Sequence, residues 1–383
     1  MKVLHLINLQ GFGGVEKRFI KYLNKSKHNN IVMCVSNNID ERIEEQFSKK
    51  DILFVNRVFN SFKIKWPSFY RKKVLIKKIE KQNADAIIVW DFIPKLITKP
   101  QCGKLFYYDC GCGWRYPKNE RTMSFFNKVD GFISNSNASK RVMQLRYHID
   151  KDIKVILNKL DLPIKRKPKS LDNKKNIILG TASRLVGLKG IGISLLVLKQ
   201  LLNKGINTKL IIAGSGEDES KLKELANKLD LNDYVEFLGY QSELSDFYHN
   251  INIYLSTPIT EAFGLSCIEA LANGVPVIFP KIDGQMEAIK DNYCGIGLKP
   301  QLTLEQYFVL TGLSINFDNP IYDPETDNLV DPKLLLPNDC VDAIEKIVEN
   351  YNELSLNALS WSKMTMNFDL FVEQFDDVVN SEC

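Results

Sequence analysis

One stretch, Asn252 to Ile289 (NIYLSTPITEAFGLSCIEALANGVPVIFPKIDGQMEAI), restricts what this chain can fold into more than any other. Ile251 to Leu255 has the apolar run of a short buried strand, and Ser256-Thr257-Pro258 ends it. A loop from Ile259 to Gly264 leads into a helix over Leu265 to Ala272, which Asn273-Gly274 stops; Pro276 to Pro280 is the next strand. Strand, loop, helix, Gly stop and strand make one parallel βαβ unit, so the fold class is α/β. Glu261 falls just before the helix and Glu269 about one turn inside it. Two readings fit these acids. They are a first-turn acid favoured by the helix dipole and a solvated helix residue, or they flank an anion site made by the free amides near Phe263, Gly264 and Leu265. The second suits a ligand carrying both phosphates and hydroxyls.

The same grammar recurs along the chain. Lys2 to Leu9 is a strand, Gln10 to Gly14 a glycine-rich turn, and Val15 to Leu23 a helix, which is how a doubly wound sheet opens. A dinucleotide site is not expected, because the third spaced glycine is missing and Ile31–Val35 is followed by Ser-Asn-Asn rather than an acid. Further strands fall at Ala86–Trp90, Leu105–Tyr108 and Gly131–Ser134, the second leading into the glycine-rich Asp109–Arg115. Pro163 to Asn173 is a polar linker. Ile177–Ala182 then begins a second series, with Arg184 and Lys189 just past its end, where Arg can clamp two phosphate oxygens and Lys supplies a point charge. Leu210–Ala213 runs into Gly214-Ser215-Gly216-Glu217, and Val235–Leu238 into Gly239-Tyr240. About thirty residues, Leu298 to Asn328, intervene before the helix Val341–Asn350 and carry no readable motif.

Several of these motifs, in order, resemble one family. Pro258, Glu261-Ala262-Phe263-Gly264, Glu269-Ala270, Ala272, Gly274, Pro276-Val277-Ile278, Gly284 and Glu287 resemble the donor-binding signature of retaining glycosyltransferases of family 4. Gly13-Gly14-Val15-Glu16, Ser183-Arg184-Leu185 with Lys189-Gly190, and Gly214-Ser215-Gly216-Glu217 are similar to further motifs of that family. The resemblance implies a GT-B fold, two Rossmann-like domains facing each other across a cleft. Residues 1–165 would bind the acceptor and 170–363 the nucleotide sugar, with a helix over about 364–383 crossing back to the first domain. It further implies Arg184, Lys189 and Glu261 as catalytic: the cations meet the leaving diphosphate and Glu261 the transferred sugar. Glu269 would hold the ribose hydroxyls, and Gly239 and Tyr240 the base. Gly214 and the amides at Gly13, Gly14, Phe263, Gly264 and Leu265 would line the donor site. Relatives often place a His where this chain has Cys110, so only the loop is carried over, with Asp109, Cys110, Trp114 and Arg115 as acceptor-side candidates.

The resemblance implies no cofactor and no metal, with a nucleoside-diphosphate sugar as co-substrate, UDP ahead of GDP. Cys110 and Cys112 have no His or further Cys at usable spacing for a metal. The hexose or N-acetylhexosamine would pass to a glycan or glycolipid of lipopolysaccharide or capsule type. Alternatives are a GT-B-shaped sugar-nucleotide epimerase and a nucleotide-sugar-binding module without turnover.

Charge adds a partner. Residues 1–170 hold 35 Lys and Arg against 15 Asp and Glu, and the remainder 16 against 31. The basic half should face something anionic. Phe62, Trp66, Phe69 and Tyr70 stand among Lys63, Lys65, Arg71, Lys72, Lys73, Lys77, Lys78 and Lys81, with Pro67 placed to open a helix. This reads either as a solvated helix face or as a surface for an anionic membrane. No nucleic-acid-binding motif accompanies it. With no apolar run of spanning length and no recognisable signal peptide, the expected location is cytoplasmic, possible attachment being peripheral on the inner membrane face.

Overall fold

The structure, a computed structural model, describes residues 1–36, 38–47, 52–58, 62–63, 68–111, 113, 116–161, 166–171 and 176–382. It divides into two compact units, Met1–Asn158 with Phe368–Cys383, and Lys159–Asn367.

In the first unit the strands are β1 (Lys2–Ile7), β2 (Asn29–Cys34), β3 (Ile52–Phe54), β4 (Arg57–Val58), β5 (Phe62–Lys63), β6 (Ala86–Trp90), β7 (Lys104–Asp109), β8 (Gly131–Ser134) and β9 (Ile153–Val155). Seven form one parallel sheet in the order β3-β2-β1-β6-β7-β8-β9, while β4 and β5 pair as a small antiparallel ribbon. Every residue of β6, Ala-Ile-Ile-Val-Trp, is buried, as a central strand covered on both faces must be. One face packs Ile7, Trp90 and Tyr108 against Phe368, Phe371 and Phe375 of the C-terminal helix Phe368–Glu382. That helix begins a few residues later than the expected 364–383. Trp361 lies in the last turn of the preceding helix, Tyr351–Ser362, and a 3-10 turn at Lys363–Thr365 separates the two. The other face receives Leu75, Ile76 and Ile79 of the helix Ser68–Lys81.

Lys78 on that helix departs from the expected solvated basic face. Its ammonium donates to the carbonyl oxygens of Phe54 (2.6 Å), Val55 (3.0 Å) and Arg57 (2.5 Å), tying the helix to the end of β3. Trp66, Lys65 and Pro67, and the side chains of Phe62, Lys63 and Phe69, lie outside what the structure describes. A single helical turn, Glu41–Glu44, follows β2.

The second unit has β10 (Asn176–Ala182), β11 (Asn207–Ala213), β12 (Val235–Gly239), β13 (Ile253–Leu255), β14 (Val277–Pro280) and β15 (Gly295–Leu298) in a parallel sheet ordered β12-β11-β10-β13-β14-β15. The βαβ unit is present, with its helix at Leu265–Ala272 between β13 and β14. The segment after Leu298 is structured: a capped helix Leu304–Thr311 and an antiparallel hairpin of β16 (Ile321–Asp323) and β17 (Asn328–Val330). It leaves and returns at one point, where Leu302 and Leu334 exchange backbone hydrogen bonds of 3.0 and 2.8 Å.

Candidate functional site at the carboxyl edge of the second sheet

All six strands of the second sheet are parallel, so the loops after β10, β11, β12, β13 and β14 leave from one edge. The chain runs outward from β10 through β11 to β12, and the other way from β13 through β14 to β15. β10 and β13 therefore flank the switch point, where the loops diverge and leave a crevice. The loop after β10 carries Arg184 and Lys189; the loop after β13 carries Glu261.

These loops are joined. Ile259 donates its amide to Leu188 O at 3.0 Å, and the Thr257 hydroxyl reaches Lys189 O (3.2 Å) and Gly190 O (3.0 Å). The joint ends in an ion pair, Lys189 Nζ to Glu261 Oε2 at 2.5 Å, each side chain a little under a quarter exposed. Arg184 is exposed and makes no ion pair among the described residues.

Beyond Glu261 the backbone turns through Gly264, at φ +88°, into the helix Leu265–Ala272. No described residue accepts the amides of Phe263, Gly264 or Leu265, which point their partial positive charge out of the helix start. Glu269 receives the Tyr248 hydroxyl at 2.9 Å, and the same oxygen lies 3.1 Å from Ser266 O. Burial, reinforced by the Glu269 charge, raises the Tyr248 pKa, so the phenol stays a donor. No local signal in the sequence assigns Tyr248, which comes from the helix before β13.

On the other side of the edge, Gly214 donates its amide to Gly239 O at 2.8 Å. A Cβ on Gly214 would lie 1.8 Å from Ser183 O, and its φ is +129°, so glycine alone lets these strand ends meet. Tyr240, next in line, is 48% exposed.

The candidates in the first unit are placed differently. Gly13 caps the helix Gly14–Lys25, and its amide, expected to hold a ligand oxygen, is already taken by Glu16 Oε2 at 2.9 Å. Gly14 begins the helix. Asp109 is fully buried at the end of β7, with the Tyr107 hydroxyl 3.5 Å from its carboxylate. Cys110 is buried too: its amide donates to Asp91 Oδ1 (3.2 Å), and its carbonyl accepts from Asn135 Nδ2 (2.9 Å). Cys110 is thus fastened through its backbone, to Asp91 and Asn135. Cys112, Trp114 and Arg115 lie outside the described residues. No group of three or more His, Cys, Asp or Glu suited to a metal occurs among the described residues.

Comparison with known proteins agrees with this geometry. Residues 163–307 match the family described as glycosyl transferases group 1. An uncharacterized glycosyltransferase of Haemophilus influenzae is 26% identical over 358 residues, covering 90% of this chain and 97% of that one. Other curated relatives align over about a third of their own length. Among solved structures, HepE of Anabaena in complex with UDP and glucose superposes with a TM-score of 0.73 at 18% identity, each chain covered fully. The lipopolysaccharide outer core galactosyltransferase WaaB, in its apo form, gives 0.71 at 16%, again over both full chains. The fold is thus GT-B, and residues 163–307 are similar to the group 1 glycosyl transferases.

Proposed function

We propose that the chain transfers a hexose or N-acetylhexosamine from a nucleoside-diphosphate sugar, UDP ahead of GDP, to a surface glycan, retaining the anomeric configuration. The observation that carries this is the Lys189–Glu261 pair at the switch point, beside an exposed Arg184 and a helix start with open amides. An ammonium has three donors, so Lys189 can keep Glu261 while giving a bond to a phosphate oxygen. Arg184 and Lys189 meet the charge that grows on the leaving diphosphate, a role that needs no metal. Glu261 accepts from the transferred sugar and Glu269 from the ribose. No side chain is placed as a nucleophile in this reading, so the leaving phosphate oxygen takes the acceptor's proton as the new bond forms on the same face. The UDP bound by HepE and the galactosyl transfer named for WaaB support the donor class and the acceptor class respectively. The reading is tested by thermal shift against UDP-, GDP- and ADP-sugars, followed by NMR of the product's anomeric centre. A β-configured product from an α-configured donor would overturn retention. Release of UDP with a free epimerised sugar and no acceptor would identify an epimerase.

A further inference from the structure

Glu261 is held from behind by a residue that belongs to no motif. Asp283 follows β14 at φ +47° and is 1% exposed. Its Oδ2 accepts the Glu261 amide at 2.9 Å and the Thr260 hydroxyl at 2.7 Å. Its Oδ1 accepts the Tyr322 amide at 2.9 Å, and its own amide donates to Tyr322 O at 2.9 Å. The next residue completes the clamp: Gly284 donates its amide to Glu261 O at 3.3 Å. A Cβ on Gly284 would come within 1.9 Å of Ala262 O, so the approach requires glycine. Both backbone polar groups of Glu261 are thereby fixed, while its carboxylate reaches Lys189.

Tyr322 lies on β16, in the hairpin that follows the motif-free stretch. Its hydroxyl donates to Asp327 Oδ1 at 2.8 Å, locking the hairpin turn. The same segment supports the other partner of the ion pair. A Cβ on Gly187 would stand 3.5 Å from Ile315, and one on Gly190 would stand 2.6 Å from Leu334. Both ends of the Lys189–Glu261 pair thus rest on residues 302–334.

We infer that Asp283 is a positioning residue for Glu261, and that it couples the 302–334 segment to the donor site by bonding the Glu261 backbone and the β16 backbone with one carboxylate. The inference rests on the donor reading above. Burial pushes the Asp283 carboxyl up to about 6, and bonds from Thr260, Tyr322 and Glu261 oppose that rise, so the ionised form stays available to accept all three. An amide side chain can use only one oxygen as an acceptor and turns a donor toward the other amide.

The test is a double-mutant cycle of Asp283→Asn with Glu261→Gln. It reads UDP released from UDP-glucose and from UDP-N-acetylglucosamine, taking the faster donor. Asp283→Asn alone should lower kcat about tenfold, with donor KM changed by less than about threefold, because orientation rather than binding is lost. In the Glu261→Gln background the same change should cost less than about twofold, because its effect passes through Glu261. Asp283→Gly, which keeps the backbone turn without strain, should behave alike and serves if the Asn variant fails to fold. Losses that multiply independently, or a full-speed Asp283→Asn, overturn the inference while leaving the donor reading intact. Absence of release by the wild type, or an unimpaired Glu261→Gln, overturns the donor reading and this inference with it.

Discussion

Lys189 and Glu261, 72 residues apart in the chain, hold each other at 2.5 Å where the strand order of the second sheet reverses. The two cations of this edge therefore differ before any ligand arrives. Lys189 is paired and partly buried; Arg184 is exposed and unpaired among the described residues. Lys189→Ala should lower kcat by about a hundredfold and also cost up to about 1 kcal/mol of stability, because a largely shielded Glu261 loses this cation. Arg184→Ala should lower kcat on a similar scale while stability stays within about 0.5 kcal/mol of wild type. Urea unfolding of both variants, beside donor turnover, separates them. Unchanged turnover in both would remove the diphosphate role.

Glu269 is set by Tyr248, so two variants should weaken the donor in graded fashion. Glu269→Ala should raise the donor KM by about tenfold or more through loss of a charged acceptor for two hydroxyls. Tyr248→Phe keeps the carboxylate but frees its rotamer, and should raise KM by only a few-fold. Wild-type enzyme should also penalise a 2′-deoxyribose donor. Equal KM for the ribose and deoxyribose donors would leave Glu269 as a structural helix residue.

His5 predicts a pH dependence of the first unit. It is fully buried; Trp90 Nε1 donates to its Nδ1 at 3.1 Å, and Nε2 lies 2.9 Å from Asn30 Oδ1. The Trp90 bond makes Nδ1 the acceptor, so the proton sits on Nε2 and points to Asn30. Burial holds the pKa down at about 4, with a smaller push from His28 and opposing pulls from Asn30 and Asp376. The unfolded chain therefore takes up the proton first. Stability from this site is complete above about pH 6.5 and is lost as pH falls toward 4, by up to about 3 kcal/mol. Urea unfolding at pH 7.5 and 5, followed by tryptophan fluorescence, should show a larger drop in wild type than in His5→Gln. Equal drops would clear His5.

What the sequence made readable was local. The strand, loop and helix from Ile253 to Ala272 follow from the apolar run, the break at Pro258 and the stop at Gly274, all within a few residues of what they control. Arg184, Lys189, Glu261 and Glu269 stood out because the motifs that hold them resemble a family's signature. The partners did not, because each comes from another element: Tyr248 onto Glu269, Asp283 onto Glu261, Lys78 onto the end of β3. Asp283 was hidden further by its left-handed backbone, a conformation for which glycine is the usual signal. In the stretch after Leu298, tertiary bonds to Asp283 and Leu302 hold a helix and a hairpin whose own pattern is too short to announce them.

The helix Ser68–Lys81 sets the last prediction. Arg71, Lys73 and Lys77 are exposed on it, whereas Lys78 is occupied with three carbonyl oxygens. Attachment to an anionic bilayer, if this half of the chain makes it, draws on the first three. Each contributes about 1 kcal/mol near such a surface and is screened within about 8–10 Å at physiological salt. Vesicles containing anionic lipid should therefore bind the protein in low salt and release it in high salt, and Arg71→Glu with Lys73→Glu and Lys77→Glu should abolish binding without lowering the melting temperature. Lys78→Glu belongs to a different experiment: it leaves the Phe54, Val55 and Arg57 carbonyl oxygens without their donor and brings a carboxylate against them. It should destabilise the fold by about 1–3 kcal/mol whether or not lipid is present. Cosedimentation indifferent to salt and to the triple variant would leave these three cations solvating a helix. An unaltered melting temperature in Lys78→Glu would show that the three carbonyl oxygens find water in its place.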